Sequence, residues 1–343
     1  MNYISTTLKK PGFWLAVVAT LLALVVVGLG AWTRLVHAGL GCPDWPGCYG
    51  FLTVPETTAE IFIAEQRFPD APVEVAKGWP EMIHRYVAGS LLLLVAGLAV
   101  SAFRHRKRQG QPFKLPMLIL GLVIVQAMFG MWTVTLKLWP QVVTAHLLGG
   151  FATLTLLALL TVRLSGHWQP VRGLFSNQFE PRRLAAVALL VVIVQITLGG
   201  WTSSNYAALA CPDLPTCQGQ MWPPMDFSEG FDVTQAIGPN YLGGQLDNDA
   251  RVAIHMAHRI GAIIVTLIIG YLAIAGLVRG GGMRTVYSFV LAALAAQITL
   301  GLSNIIYYLP LHVAVAHNLG GALLLISLVL LNYRLRFERA DSR

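Results

Sequence analysis

Long apolar runs alternate with short polar segments along this chain, and their spacing predicts eight membrane-crossing helices. The runs lie at residues 13–32, 80–103, 116–136, 142–163, 184–202, 251–278, 285–306 and 312–333. Each is close to the ~20 residues that a bilayer core asks of a helix. A signal peptide is the rival reading of the first run. A matching segment recurs at residues 184–201, where no signal peptide can stand, so the run is read as a span. Two long loops, residues 35–80 and 203–250, break the series, while residues 137–141 and 307–311 make tight turns.

Composition agrees with this pattern. The 343 residues are 55% hydrophobic and 12% charged, as expected of a polytopic membrane protein and not of a soluble one. The net charge of +8 would suit a nucleic-acid binder, but its distribution does not. Basic residues gather at 104–108, at Arg172, Arg182 and Arg183, at 279–284 and in the tail 334–343, all on one side of the spans. No basic run is interleaved with aromatics, so nucleic acid is excluded as a partner. The positive-inside rule puts these segments and both termini in the cytoplasm. The acidic long loops then lie outside, in the periplasm of a cell with two membranes. His105, within the basic run, is read as a solvated side chain.

The chain repeats itself. Trp32-Thr33 matches Trp201-Thr202, and the segment from Cys42 to Cys48 matches that from Cys211 to Cys217. His84-Arg85 matches His258-Arg259, Gln126 and Gly130 match Gln297 and Gly301, and the segment Ala145 to Gly150 matches Ala316 to Gly321. An even number of spans per half makes the repeat parallel. The expected architecture is therefore an all-α integral membrane protein of eight transmembrane helices in two pseudo-symmetric four-helix bundles, with residues 1–170 forming one domain and 171–343 the other.

Ionisable residues inside a span are costly and mark function. Each half carries a histidine near the outer end of its second span (His84, His258) and of its fourth (His146, His317). Counted from the expected helix starts, His84 and His146 lie three and four residues in, roughly 5 Å deep. Two imidazoles at equal depth can bind opposite faces of a haem iron. The competing reading, histidines that merely bond across helices, explains one such pair less well than two. Arg85 and Arg259 follow the ligand histidines, where guanidinium groups suit haem propionates. Arg34 is a third candidate, confined to the first half because its counterpart is Ser203. Gly149-Gly150 and Gly320-Gly321 would let a porphyrin or a neighbouring helix come close.

The cysteine pairs lie in the outer loops, where disulfides form. Cys211 and Cys217 are read as a structural clip. For Cys42 and Cys48, bonded in oxidising cells, both a clip and a redox relay stay open. The halves differ at two places: Glu81, one helical turn before His84, is replaced by His255, and Gln141 by His312. A carboxylate beside a haem edge suits chemistry that builds positive charge or needs a proton acceptor. The half without it suits a fixed electron-transfer haem.

Taken together, the Glu81-x-x-His84-Arg85 motif, the positions of His146, His258 and His317, the looped cysteine pairs and the eight spans resemble the haem A synthase family over essentially the whole chain. That resemblance implies a membrane oxidoreductase of haem A biosynthesis and cytochrome oxidase assembly. Farnesylated haem O would bind the first half between His84 and His146. Its C8 methyl would be oxidised to a formyl group through hydroxylated intermediates, with oxygen from water and Glu81 assisting at the reacting carbon. A haem b cofactor held by His258 and His317 would carry electrons away. Membrane lipid is a further partner, haem O synthase and oxidase assembly proteins are candidate protein partners, and a homo-oligomer is compatible with the sequence. The resemblance assigns no role to His255 or His312. A di-haem b-type electron-transfer protein and a non-catalytic haem carrier or assembly factor are the alternatives, and Glu81 and the unequal halves speak against both.

Overall fold

The computed structural model describes residues 9–166 and 181–337; Arg172 lies outside them. Eight of its helices are long and apolar enough to cross a membrane. They are α1 (Phe13–Leu35), α3 (Val75–Arg104), α4 (Lys114–Thr135), α5 (Pro140–Ser165), α6 (Pro181–Ser204), α8 (Asn248–Arg279), α9 (Arg284–Ile306) and α10 (Leu311–Phe337). Two short helices, α2 (Thr58–Arg67) and α7 (Phe227–Gly230), sit in the long loops. The expected spans are all present, but several helices outrun their apolar stretch. Arg182 and Arg183 belong to α6, and Arg334 to α10. His105 is not merely solvated, because its Nδ1 lies 2.9 Å from the Ser101 carbonyl at the end of α3.

The largest boundary difference is at α3, which was expected to begin at Trp79-Pro80. It begins at Val75, with Lys77 and Gly78 N–H bonded to the Glu74 carbonyl, so Pro80 stands inside the helix. Proline has no N–H to donate to the Ala76 carbonyl one turn earlier; its own carbonyl accepts from Thr33 Oγ1 of α1 at 3.1 Å and ties the two helices together. α2 starts with a capping box: Thr57 Oγ1 accepts from Glu60 N–H and Glu60 Oε2 accepts from Thr57 N–H. The Thr-x-x-Glu spacing is a sequence signal for a helix start, though none was expected in this loop.

Neighbour relations place the helices. α1 and α4 each pack against both α3 and α5, so α3 and α5 face each other across a ring of four. Likewise α6 and α9 each pack against both α8 and α10. α5 meets α6 and α10, and α1 meets α10, which makes α5 and α10 the seam. Away from the disulfide loops the seam is solid apolar core, including Leu154, Leu157, Leu160 and Leu164 of α5 with Leu328, Leu331 and Leu335 of α10. Nearer the loops, residues 145–150 and 315–321 of the same helices are only partly buried. The outward faces are apolar too: Trp14, Val18, Leu21 and Val25 line one side of α1, with Leu21 60% exposed. Such a surface suits lipid.

The two long loops share a detailed geometry. Disulfides join Cys42 to Cys48 and Cys211 to Cys217. Asp44 accepts from Tyr49 and Gly50 N–H, while Asp213 accepts from Gln218 and Gly219 N–H. Tyr49 and Gln218 both take a left-handed backbone, φ 55° and 53°. The Thr216 hydroxyl, and then the Gly219 and Gln218 amides, hold the Asp213 carboxyl below its usual range. A depressed folded value stabilises the loop above the ordinary carboxylate pKa of ~4, and this stabilisation is lost as pH falls through the folded value. Protection of the Gln218 and Gly219 amides from exchange, relative to their intrinsic rate at each pH, should therefore hold down to about pH 4 and fall below it. Equal protection in an Asp213→Asn variant across that range would contradict this.

Candidate functional site

Four helices carry the histidines singled out by the sequence. His84 is the tenth residue of α3 and His146 the seventh of α5. His258 is the eleventh of α8 and His317 the seventh of α10. The earlier starts of α3 and α5 overturn the expected three- and four-residue offsets of His84 and His146. Each pair belongs to the two helices that oppose one another in a ring, so the members come from facing sides and not from neighbours in contact.

Every one of these imidazoles rests on a glycine of an adjacent helix. A Cβ built on Gly30 would lie 3.1 Å from His84, on Gly130 3.6 Å from His146, on Gly199 3.2 Å from His258 and on Gly301 3.1 Å from His317. The Nδ1 atoms of His84, His146 and His317 are buried without a hydrogen-bond partner. A buried unpaired polar atom is expensive and asks for an explanation. Imidazole nitrogens are metal ligands, and paired imidazoles from opposing helices suit a haem iron. The residues therefore fit such a group.

Glu81 is 5% exposed. Its Oε1 pairs with Arg85 Nη2 at 2.5 Å, and its Oε2 accepts from Cys42 N–H at 3.0 Å. Arg85 Nη1 donates to the carbonyls of Asp44, at 2.9 Å, of Pro46 and of Gly47. Carboxylate, arginine and disulfide loop thus form one closed network. Beside it, burial and the nearby Glu74 and Glu81 push the Tyr49 phenol up to about 12; it stays neutral and donates to the Pro72 carbonyl at 3.0 Å. In the second half Arg259 donates to the carbonyls of Thr216, Cys211 and Asp213, each at 2.8 Å. Both arginines were expected at propionates; Arg85 divides its Nη groups between Glu81 and loop carbonyls, and Arg259 gives both of its to loop carbonyls, which need donors once the tight loop turns them inward. His255, at the Glu81 position, is buried with Nδ1 2.9 Å from the Ala207 carbonyl, so Nδ1 carries the proton.

Other residues fall where the linear pattern did not put them. Arg34 is not confined to the first half: it donates to the Ser203 carbonyl at 2.8 Å and to the Tyr206 hydroxyl. His37 stacks on Tyr206 with centroids 5.6 Å apart. His312 is exposed and borders, with Trp32 and Leu319, an open apolar groove between α1 and α10. Gly149 and Gly320 admit the side chains of Gln126 and Gln297. Gln195 of α6, which no sequence argument reached, donates to the His258 carbonyl at 2.9 Å.

These features define an all-helical, eight-span, multi-pass membrane protein with two opposed pairs of half-buried histidines and, among the described residues, one buried carboxylate. Residues 13–329 match the model of the family described as cytochrome oxidase assembly protein, COX15-CtaA. The chain belongs to that family. It is similar to the heme A synthase of Shewanella oneidensis, 45% identical over 93% of this chain and 95% of that one. It also resembles the heme A synthases of Methylobacterium radiotolerans, 30% identical over 89% of this chain and 84% of that one, and of Bacillus mycoides, 25% identical over 89% and 87%.

Removing Arg85 would strip Glu81 of its counter-charge and release the first loop. Breaking one partner of a buried pair costs about 3–5 kcal/mol. Arg85→Ala should therefore unfold at a clearly lower temperature in detergent, whereas the double variant Arg85→Ala with Glu81→Gln should recover part of the loss. Thermal unfolding of the purified proteins checks both.

Proposed function

We propose that this chain has haem A synthase activity, oxidising the C8 methyl of haem O to a formyl group through hydroxylated intermediates, with the oxygen drawn from water. The observation that carries this is the doubled set of opposed histidines with a buried carboxylate beside only one set. Similarity to heme A synthases along nearly the whole chain supports it. Residues 1–170 form the substrate domain and residues 171–343 the cofactor domain, as two pseudo-symmetric four-helix bundles; the ring-wise packing of α1, α3, α4 and α5 and of α6, α8, α9 and α10 supports the division.

His84 and His146 hold the substrate haem O, and His258 and His317 hold haem b. Haem b supplies a one-electron acceptor when bound. Glu81 stands one turn before His84, its Oε1 held by Arg85 and its Oε2 by the Cys42 N–H. A carboxylate has about four acceptor positions, which leaves room for a water molecule. Glu81 takes the proton from that water or stabilises positive charge at the carbon being oxidised. Arg85 and the Cys42 N–H aim the carboxylate, and Arg85 and Arg259 fix the disulfide loops beside each ligand histidine. Cys42–Cys48 and Cys211–Cys217 act as clips on those loops. The protein lies in the bacterial inner membrane with both termini in the cytoplasm; the basic runs 104–108 and 279–284 support that orientation. Haem O synthase and oxidase assembly proteins are its partners in supply and delivery.

Glu81→Gln keeps the side-chain shape and removes its charge. Loss of one such group typically costs a hundredfold or more in rate, about 3 kcal/mol. The variant should retain haem in both halves yet accumulate haem O or a hydroxylated intermediate; the ratio of haem A to its precursors in membrane extracts is the measurement. Haem A at the wild-type rate would remove Glu81 from the chemistry. Separately, His258→Ala or His317→Ala should lose haem b from the purified protein, and a wild-type bis-histidine spectrum with full haem b content would overturn that ligand assignment.

A further inference from the structure

Two contacts between the halves are counterparts in the repeat, and only one of them is sealed. α5 meets α6, and α10 meets α1. At the first contact Trp201 of α6 is 7% exposed, and its indole N–H donates to the Gly230 carbonyl at 2.8 Å. Gln141 of α5 donates to the Val233 carbonyl at 3.1 Å, and Thr144 Oγ1 lies 3.2 Å from Ser204 Oγ. The second long loop thus covers that end of the seam. The matching positions at the other contact are Trp32, His312 and Val315. There a groove of about 500 Å³ stays open, lined by Trp32 of α1 and by His312, Val315, Ala316 and Leu319 of α10. Neither the His312 imidazole nor the Trp32 indole has a hydrogen-bond partner among the described residues.

The groove has a polar mouth, apolar walls and a floor. His312, Val315, Ala316 and Leu319 follow helical spacing and share one face of α10. His312 stands in the first turn, and Leu319 lies seven residues, ~10 Å, deeper. Leu319 closes on α1, where a Cβ on Gly28 would lie 3.7 Å from it. Farther along the same faces, Val25 and Leu323 are 50% and 40% exposed, so the groove runs into the lipid-facing surface. Ligand clefts have this makeup, mostly apolar with a few polar groups that fix orientation. Indole offers a donor only, while neutral imidazole offers a donor and an acceptor. The mouth therefore suits a carbonyl oxygen, and His312 also suits a hydroxyl. Both walls belong to helices that serve the ligand histidines. Ala316 adjoins His317 on α10, and on the opposite face of α1 Gly30 seats His84. A molecule in the groove stands about one helix diameter, ~10 Å, from either histidine.

We propose that this groove binds a membrane quinone, the acceptor that draws electrons from the second site. The inference rests on the proposed function, which needs such an acceptor. Each oxidation of the methyl carbon by water releases two electrons and two protons, and methyl to formyl takes two such steps. A one-electron cofactor cannot store them. In balance, one methyl, one water and two quinones give one formyl and two quinols. Two C–H bonds and both O–H bonds of the water break, the C=O bond forms, and each quinone takes two electrons and two protons. The quinone ring lies between Trp32 and His312, with a carbonyl accepting from their N–H groups. After reduction the His312 lone pair accepts from the quinol hydroxyl. The isoprenoid tail passes Val315 and Leu319 into lipid, so the acceptor reaches the seam without crossing the disulfide loops.

The test uses purified full-length protein with haem b bound, reduced without air by stoichiometric dithionite and mixed with decylubiquinone or menadione. Reoxidation of haem b is followed by absorbance. In the wild type its rate should saturate with at least one of the two quinones. Val315→Trp, which fills the groove, should abolish saturation, and His312→Leu should slow the reaction about fivefold or more. His312→Gln, the residue of the sealed counterpart, keeps a donor and should recover most of the rate. Reoxidation by ferricyanide, which needs no groove, should be the same in all of them. A photoreactive azidoquinone should label peptides of α1 and α10, and excess decylubiquinone should prevent this where farnesol does not. Rates linear in both quinones, groove variants as fast as the wild type, or label displaced by farnesol alone would each overturn the inference; the last would make the groove a seat for the farnesyl tail of haem O. If cells expressing the wild type still make haem A, the proposed function stands despite such a result. If they make none from haem O, both fall.

Discussion

A polar side chain in hydrocarbon must find its partner inside the protein, because lipid offers none. That constraint shapes everything at the loop end of this molecule. Glu81 is tolerated there because Arg85 and the Cys42 amide close around it. Arg85 in turn is tolerated because a disulfide-pinched loop turns three carbonyls toward it. The second half solves the same problem without a carboxylate: Arg259 takes three carbonyls of its own loop, and His255 takes one from Ala207. The loops are thus part of the polar interior of the membrane domain and not merely connections between spans.

The histidines answer the same constraint differently. They rest on glycines, and three of the four keep a buried nitrogen with no partner in the protein. The far end of the seam shows what these helices do where nothing else is required of them: it is packed mainly by leucines. The contrast along α5 and α10, solid at one end and partly open at the other, divides the membrane thickness into a structural half and a chemical half.

The two rings share a plan, and a few substitutions give them different chemistry. Glu81 against His255 places a carboxylate in one site only. Val26 of α1 against Gln195 of α6 gives His84 a backbone carbonyl where His258 meets a side-chain amide. Each change is small in volume, yet each alters what a buried polar atom can pair with, and such atoms are worth a few kcal/mol apiece.

Much of this was legible in the linear pattern. Eight runs of apolar residues forecast eight spans, because a bilayer imposes one length on every helix that crosses it. Repetition picked out the four histidines and the cysteine pairs, since unusual residue types recurring in order survive any uncertainty about packing, and the break in the repeat at His255 singled out Glu81. The capping box at Thr57 and Glu60 was equally legible, and the glutamine–glycine spacings were there to be counted. The partners of Arg85, Arg259 and Arg34, the seating of each imidazole and the pairing of opposed helices were not. In a soluble protein, polar and apolar faces reveal which side of a helix turns inward. Here both faces are apolar, as the exposed leucines and valines of α1 demonstrate, so hydropathy cannot separate the side that meets lipid from the side that meets another helix. Only the assembled rings decide that, through close contacts of glycine with histidine and glutamine between residues tens of positions apart.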